Sequence, residues 1–346
     1  MRVSALAVPE LPELTGGRFL TSWELDPVAL VCVLVLAAAY AAGVVRLRRR
    51  GGHWPAARTA AFLLLGLGTV VVATMSAFMV YSRVLFWPAA VQNILLDLVA
   101  PLGLALGDPL ALAGRARAGA DGVPGGPGAF VRSPLVRLLT FPFVSSVLVL
   151  VSELSIYFTP YFENALRHDA VRQLMHLQLL VTGSLFVLPV LTRQEMLPRW
   201  CTHPVRALLV FVDGLFDSVP GIVVMLSGTS VAGGWYAAHP RTWGPDLQRD
   251  QQLGGGLMLT LAELVGLPFL IAVFVEWWRT EHARTAELDE RLDTELVSVT
   301  LPMTVPPAPG APAGAPAPAG PELVRPWWET ESGEVADRVR RTARRR

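Results

Sequence analysis

The sequence predicts an all-α, polytopic membrane bundle of seven transmembrane helices, with the amino terminus outside and the carboxyl terminus inside. Three observations predict it. Hydrophobic residues make up 52% of the chain and charged ones only 16%, with a mean hydropathy of +0.45, which removes a soluble globular enzyme from consideration. Apolar stretches long enough to cross a bilayer recur along the chain. Arginines gather in alternate connections: at least three in each assigned inside, counting Arg206 at the edge of the sixth span, and no more than two in each assigned outside.

Residues 1–27 hold Pro9 and Pro12 and lack an apolar core, so they read as an exposed arm and not as a cleavable signal peptide. The membrane domain is then 28–279. Its first span, Val28 to Val45, runs into Arg46, Arg48, Arg49 and Arg50, a cluster retained in the cytoplasm. The second, Thr59 to Val80, returns outward to Tyr81–Pro88, which reads as an interfacial segment. The third, Ala89 to Leu112, ends before Arg115, Arg117 and a Gly/Pro/Ala loop. The fourth is Leu138 to Tyr157, with Pro142 near its start, where a missing backbone donor does least harm. The fifth is Val171 to Leu191. The last two, Val205 to Gly228 and Gly254 to Trp278, form a hairpin whose outer loop places Trp235, Tyr236 and Trp243 at the interface. Pro220 and Pro268 are positioned to break its arms.

Beyond the bundle, 280–301 is a charged juxtamembrane segment that extends the last helix, 302–325 a Pro/Ala/Gly disordered linker, and 326–346 a basic cytoplasmic tail. That tail either lies on the anionic inner leaflet or is simply solvated. Cys32 and Cys201 are too few and too far apart in setting for a disulfide framework or a thiolate metal site.

Ionisable groups inside spans are costly, about 2.5–3.5 kcal/mol for a mid-helix aspartate, so they mark protein, water or ligand contacts. On this topology they form, with neighbouring amides, a layer at mid-membrane and outward: Gln92, Asn93 and Asp97 in the third span, Glu153 in the fourth, Gln173, His176 and Gln178 in the fifth, Asp213 and Asp217 in the sixth, Glu263 in the seventh. Such a layer predicts a polar pocket open to the outside, able to bind a cation or pass protons. The alternative is that these groups only cross-link helices by hydrogen bonds. Met175, Met225 and Met258 are near enough to matter but read as packing residues. Gly254–Gly256 follows no strand and makes no phosphate loop; close helix packing is its expected use. No nucleophile constellation is present, so catalysis and nucleic-acid binding are not expected.

Several segments carry a resemblance: Tyr81 to Phe86 (YSRVLF), Leu98 to Pro109 (LVAPLGLALGDP), Tyr157 to Arg167 (YFTPYFENALR), Met175 to Phe186 (MHLQLLVTGSLF), Trp243 to Gly256 (WGPDLQRDQQLGGG) and Glu276 to Arg279 (EWWR). In this order they resemble the CtaG-type cytochrome c oxidase assembly factors over about Phe62 to Arg284. The resemblance implies a seven-span, non-enzymatic protein of the bacterial plasma membrane, acting in respiratory oxidase assembly, with copper as cargo and an oxidase subunit or copper chaperone as partner. It also implies an altered metal site. Where the family reads His-x-x-Gln-His, this chain reads Ala89 to Asn93 and keeps only Gln92; Gln178 replaces a second histidine, and Asp217 stands near a third. Of the family's ligands only His176 survives, and with Asp97, Asp213 and Asp217 it forms the expected residual or altered site. Two other readings stay open: a metal-independent scaffold that recruits a partner through its tail, and an ion- or proton-coupled transporter.

Overall fold

The computed structural model describes residues 11–117, 138–139, 141–191 and 203–300. The chain divides into two units, Met1–Trp277 and Trp278–Arg346. Among the described residues there are helices and no strands. The expected linker 302–325 and tail 326–346, with Cys201 and the loop arginines Arg132, Arg193 and Arg199, lie outside the described residues.

Among the described residues four helices are long and apolar enough to span a membrane, five if one bent pair is counted as a single span. These are α2 (Pro27–Arg49), α3 (Ala56–Tyr81), α4 (Phe86–Ala116) and α7 (Asp169–Leu191); the bent pair is α5 (Pro142–Phe158) and α6 (Tyr161–Arg167), turned by 65°. Pro160 sits at that bend, where it lacks the N–H that would continue the helix. The hairpin arms are α8 (His203–Leu226) and α10 (Leu247–Thr300), joined through the short α9 (Gly233–Ala238). Pro220 and Pro268 do not break these arms: both lie inside continuous helix. Within Trp278–Arg346 residues 278–300 are helical, and those whose side chains are described, all between 278 and 287, are exposed.

Each helix starts for a local reason. Asp26 caps α2, its Oδ1 accepting from the N–H groups of Val28 and Ala29 at 3.0 Å, and Pro27 takes the first helical position. The segment preceding it is folded: α1 (Gly16–Thr21) is capped by Thr15, and Phe19 meets Phe78 edge-to-face at 5.1 Å. Leu11 and Leu14 pack with Phe19 against Tyr81 and Leu85.

The irregular turns lie in α3 and α4. Ala61–Leu67 and Leu95–Val99 are π-helical, a widening that collects at functional or strained positions. In α4 the cause is visible, because Pro101 has no N–H to offer the carbonyl of Asp97, four residues back. Gly183 of α7 packs on that carbonyl so closely that a Cβ there would stand 1.7 Å from the oxygen. Gly103 meets Gly66 in the same manner, with a Cβ at 2.2 Å from the Gly66 nitrogen. Small residues at these crossings let helix backbones approach where larger ones would hold them apart.

The connection 227–246 and the start of α10 form a clamp. Asp250, 1% exposed, accepts from the backbone N–H groups of Phe86 (2.9 Å) and Trp87 (3.1 Å) and pairs with Arg241 at 3.3 Å. It therefore satisfies the open amino end of α4 from the far end of the sequence. Burial pushes its carboxyl above the ordinary range, and the two backbone donors and Arg241 pull it part of the way back. Gln251 ties down the connection, accepting from Val231 N–H at 2.8 Å and donating to the carbonyls of Val224 and Thr229, both at 3.0 Å. The aromatic residues expected at the membrane interface belong to this clamp instead. Trp235 and Tyr236 are buried and donate to the carbonyls of Arg83 and Ser82, both at 2.9 Å, and Trp243 donates to the Leu11 carbonyl at 3.1 Å. Their polar tips found backbone acceptors inside the protein, so water is not needed. Gly254 and Gly255 behave as close-packing residues: a Cβ would come within 2.5 Å of Phe86 and 2.7 Å of the Gly221 carbonyl.

Candidate functional site

The polar groups do not share one pocket. They separate into a buried cluster among α3, α4, α5 and α7 and a more open one between α8 and α10.

In the buried cluster His176 and Gln92 face each other across α7 and α4, Nε2 to Nε2 at 3.3 Å. The same Gln92 Nε2 donates to the Met79 sulfur of α3 at 3.5 Å. Asn93 donates to the Tyr157 hydroxyl at 2.9 Å, Gln178 to the Ser152 hydroxyl at 2.8 Å, and Thr182 to Asp97 Oδ1 at 3.2 Å. Glu153, 2% exposed, lies one turn before Tyr157 and interacts with it electrostatically. Gln92 and His176 lie on facing helix surfaces, and each of the hydrogen bonds named, unlike the Glu153–Tyr157 pair within α5, joins two helices. Within this cluster Asn93 Oδ1 and His176 Nδ1 have no hydrogen-bond partner among the described residues.

In the second cluster Asp217 is half-buried and Glu263 exposed; Ser218 donates to Glu263 Oε1 at 3.2 Å. Both acids line a cavity of about 100 Å³ whose other walls include Leu98, Phe186, Gly214 and Leu267. Asp217 and Asp97 are electrostatic neighbours, so the clusters meet there. The side chain of Asp213 lies outside the described residues.

The donor chemistry differs between the clusters. Around Gln92 there are an imidazole and a thioether, which suit a soft ion; around Asp217 there are carboxylates, which suit protons or hard ions. Among the described residues no three His, Cys, Asp or Glu side chains gather as a metal-binding group. Met79 escaped the sequence reading because its only signal is helical spacing among other apolar residues. Met175 and Met258 are core residues, at 3% and 0% exposure. A third polar junction, also missed, joins Arg58 to Asp108 at 3.0 Å beside Trp54, whose indole donates to Tyr40; Tyr40 in turn donates to the Gly107 carbonyl at 2.8 Å. It holds the turn at Asp108, whose φ of 48° precedes Pro109.

Among curated relatives, an uncharacterized protein of Mycobacterium bovis and one of Mycobacterium tuberculosis are each 31% identical over 294 residues, and one of Mycobacterium leprae is 27% identical over 292. Each alignment covers 83% of this chain but 44% of the relative, so the chain spans under half the length of the curated relatives it matches. No solved structure matches it. A family model does match, across residues 38–280 and hence across α3, α4, both polar clusters and the clamp: the chain belongs to the cytochrome c oxidase caa3 assembly factor (Caa3_CtaG) family.

Proposed function

We propose that this protein is a multi-pass plasma-membrane assembly factor for a haem-copper cytochrome c oxidase, acting without catalysis and handling copper as cargo. Seven spans with the amino terminus outside belong to this proposal, with α8 and the first part of α10 supplying the last two. The observation that carries it is the family match over residues 38–280. An oxidase subunit or a copper chaperone is then the partner.

Of the ligand set carried over from the sequence, His176 has the chemistry for Cu(I), whereas Asp97 and Asp217 suit a proton or a harder ion. Copper handling is therefore proposed at the Gln92–His176 cluster, and a charge-balancing role at the Asp97–Asp217 junction. A metal-independent scaffold is the second reading, favoured by one specific observation: Gln92, Asn93, Gln178 and Asp97 already bond to protein groups.

The experiment is deletion of the protein in its own host, with copper and haem content of the oxidase measured in isolated membranes. Under the proposal the deletion lowers oxidase copper, the wild-type chain restores it, and His176→Ala does not. Normal oxidase in the deletion strain removes the proposal; restoration by His176→Ala moves the assignment to the scaffold.

A further inference from the structure

At the end of α2 opposite its arginines, a second cavity of about 360 Å³ opens between α2, α3 and α7. Its lining includes Glu24, Asp26, Arg83, Asp169, Arg172 and Gln173, three acids against two arginines. Both arginines are engaged: Arg83 pairs with Glu24 at 2.9 Å and Arg172 with Asp169 at 2.7 Å. Gln173 donates to the Asp26 carboxylate. The lining thus carries one acid in excess of its cations.

Met79, 2% exposed, also lines this cavity, and it is the same methionine whose sulfur takes the Gln92 amide at 3.5 Å. Behind Gln92 stands His176 at 3.3 Å, one helical turn beyond Arg172 and Gln173 on α7. Met79 is therefore the link: it lines the cavity together with Asp26 and Gln173, and its sulfur meets Gln92, which in turn meets His176. A thioether is a weak hydrogen-bond acceptor but a good ligand for a soft cation. His176 is itself more than nine-tenths buried, with one ring nitrogen unpartnered among the described residues. A side-chain rotation of Gln92 withdraws the amide that occupies both Met79 Sδ and His176 Nε2 and leaves these two atoms open to an ion.

We propose that this cavity is the entrance for a soft monovalent cation, Cu(I) in the cell, and that Met79 Sδ and His176 Nε2 are the first ligands it meets, with Gln92 as the plug it displaces. The inference rests on the copper reading above and deepens it by naming a route and a thioether ligand.

The test uses the full chain in detergent, titrated anaerobically with Cu(I) against a chromophoric Cu(I) chelator, with Ag(I) as a redox-inert check. Wild type retains one ion per chain. Met79→Leu weakens retention by at least about tenfold, a lower bound taken from the loss of even an indirect partner of a metal ligand. Asp26→Asn slows loading and leaves the affinity unchanged. Selenomethionine-labelled, Cu(I)-loaded wild type shows a selenium neighbour by X-ray absorption, which keeps the test valid if Met79→Leu fails to fold. No retained ion, unchanged affinity in a folded Met79→Leu, or copper without a selenium neighbour overturns the proposal. The two readings fail separately. Low oxidase copper in the deletion strain with no selenium neighbour leaves the function and removes the route; normal oxidase with a Met79-dependent ion leaves the site and removes the function.

Discussion

Asp250 and Asp217 belong to the same helical hairpin, yet one is consumed by the fold and the other is not. Asp250 is 1% exposed and receives two backbone N–H groups and a guanidinium. Asp217 is half-buried beside a cavity and makes no hydrogen bond among the described residues. The most sequence-distinctive segment of the hairpin, Asp250 to Gly256, thus serves architecture: a cap for α4, a tie for the connection and glycine contacts that bring helices close. The less distinctive acid is the one left available for chemistry. Motif strength and functional involvement are separable here, because a fold-setting contact constrains sequence as tightly as a reacting group does.

Substitutions sharpen this contrast. Asp250→Ala should have the largest effect on folding, about 3 kcal/mol, because three donors lose their acceptor in a buried place; a reversible denaturation in detergent measures it, and Asp250→Asn should recover part of the loss. Gln251→Leu should cost about 2 kcal/mol through the bonds to Val231, Val224 and Thr229, read in the same assay and as faster proteolysis of the 227–246 connection. Tyr157→Phe should cost about 1 kcal/mol by orphaning the Asn93 amide, with Asn93→Leu in the same background returning most of it in a double-mutant cycle. Asp217→Asn should change stability least, within about 0.5 kcal/mol, while oxidase copper in complemented cells falls. A stability loss at Asp217 matching that at Asp250 would erase the distinction between the two acids.

Much of the architecture was legible because a bilayer imposes a local rule. Backbone groups must be satisfied within the segment and side chains must be apolar over a set length, so α2, α3, α4 and α7 were visible as runs of composition. Their starts followed from neighbouring residues, as Asp26 and Pro27 illustrate. The aromatic residues misled for a physical reason: an amphipathic ring suits a membrane surface or a buried site with one acceptor equally well. Only the carbonyls of Ser82 and Arg83, more than 150 residues away in sequence, chose burial for Tyr236 and Trp235. Pro220 and Pro268 misled because the cost of a missing helix bond is borne by packing that composition does not describe.

The sequence by itself determined that this is a membrane helical protein, that costly polar groups sit inside its spans, and which segments carry the family's pattern. These are properties of single segments, set by chain chemistry against lipid. Tertiary structure alone decided which of the polar groups meet. Gln92 and His176 are 84 positions apart and Phe86 and Asp250 164 apart, and no local period links them. Helix crossing set those pairings, through glycines that admit a neighbour's backbone, and so divided one expected polar pocket into a bonded cluster beside Met79 and an open pair of acids between α8 and α10.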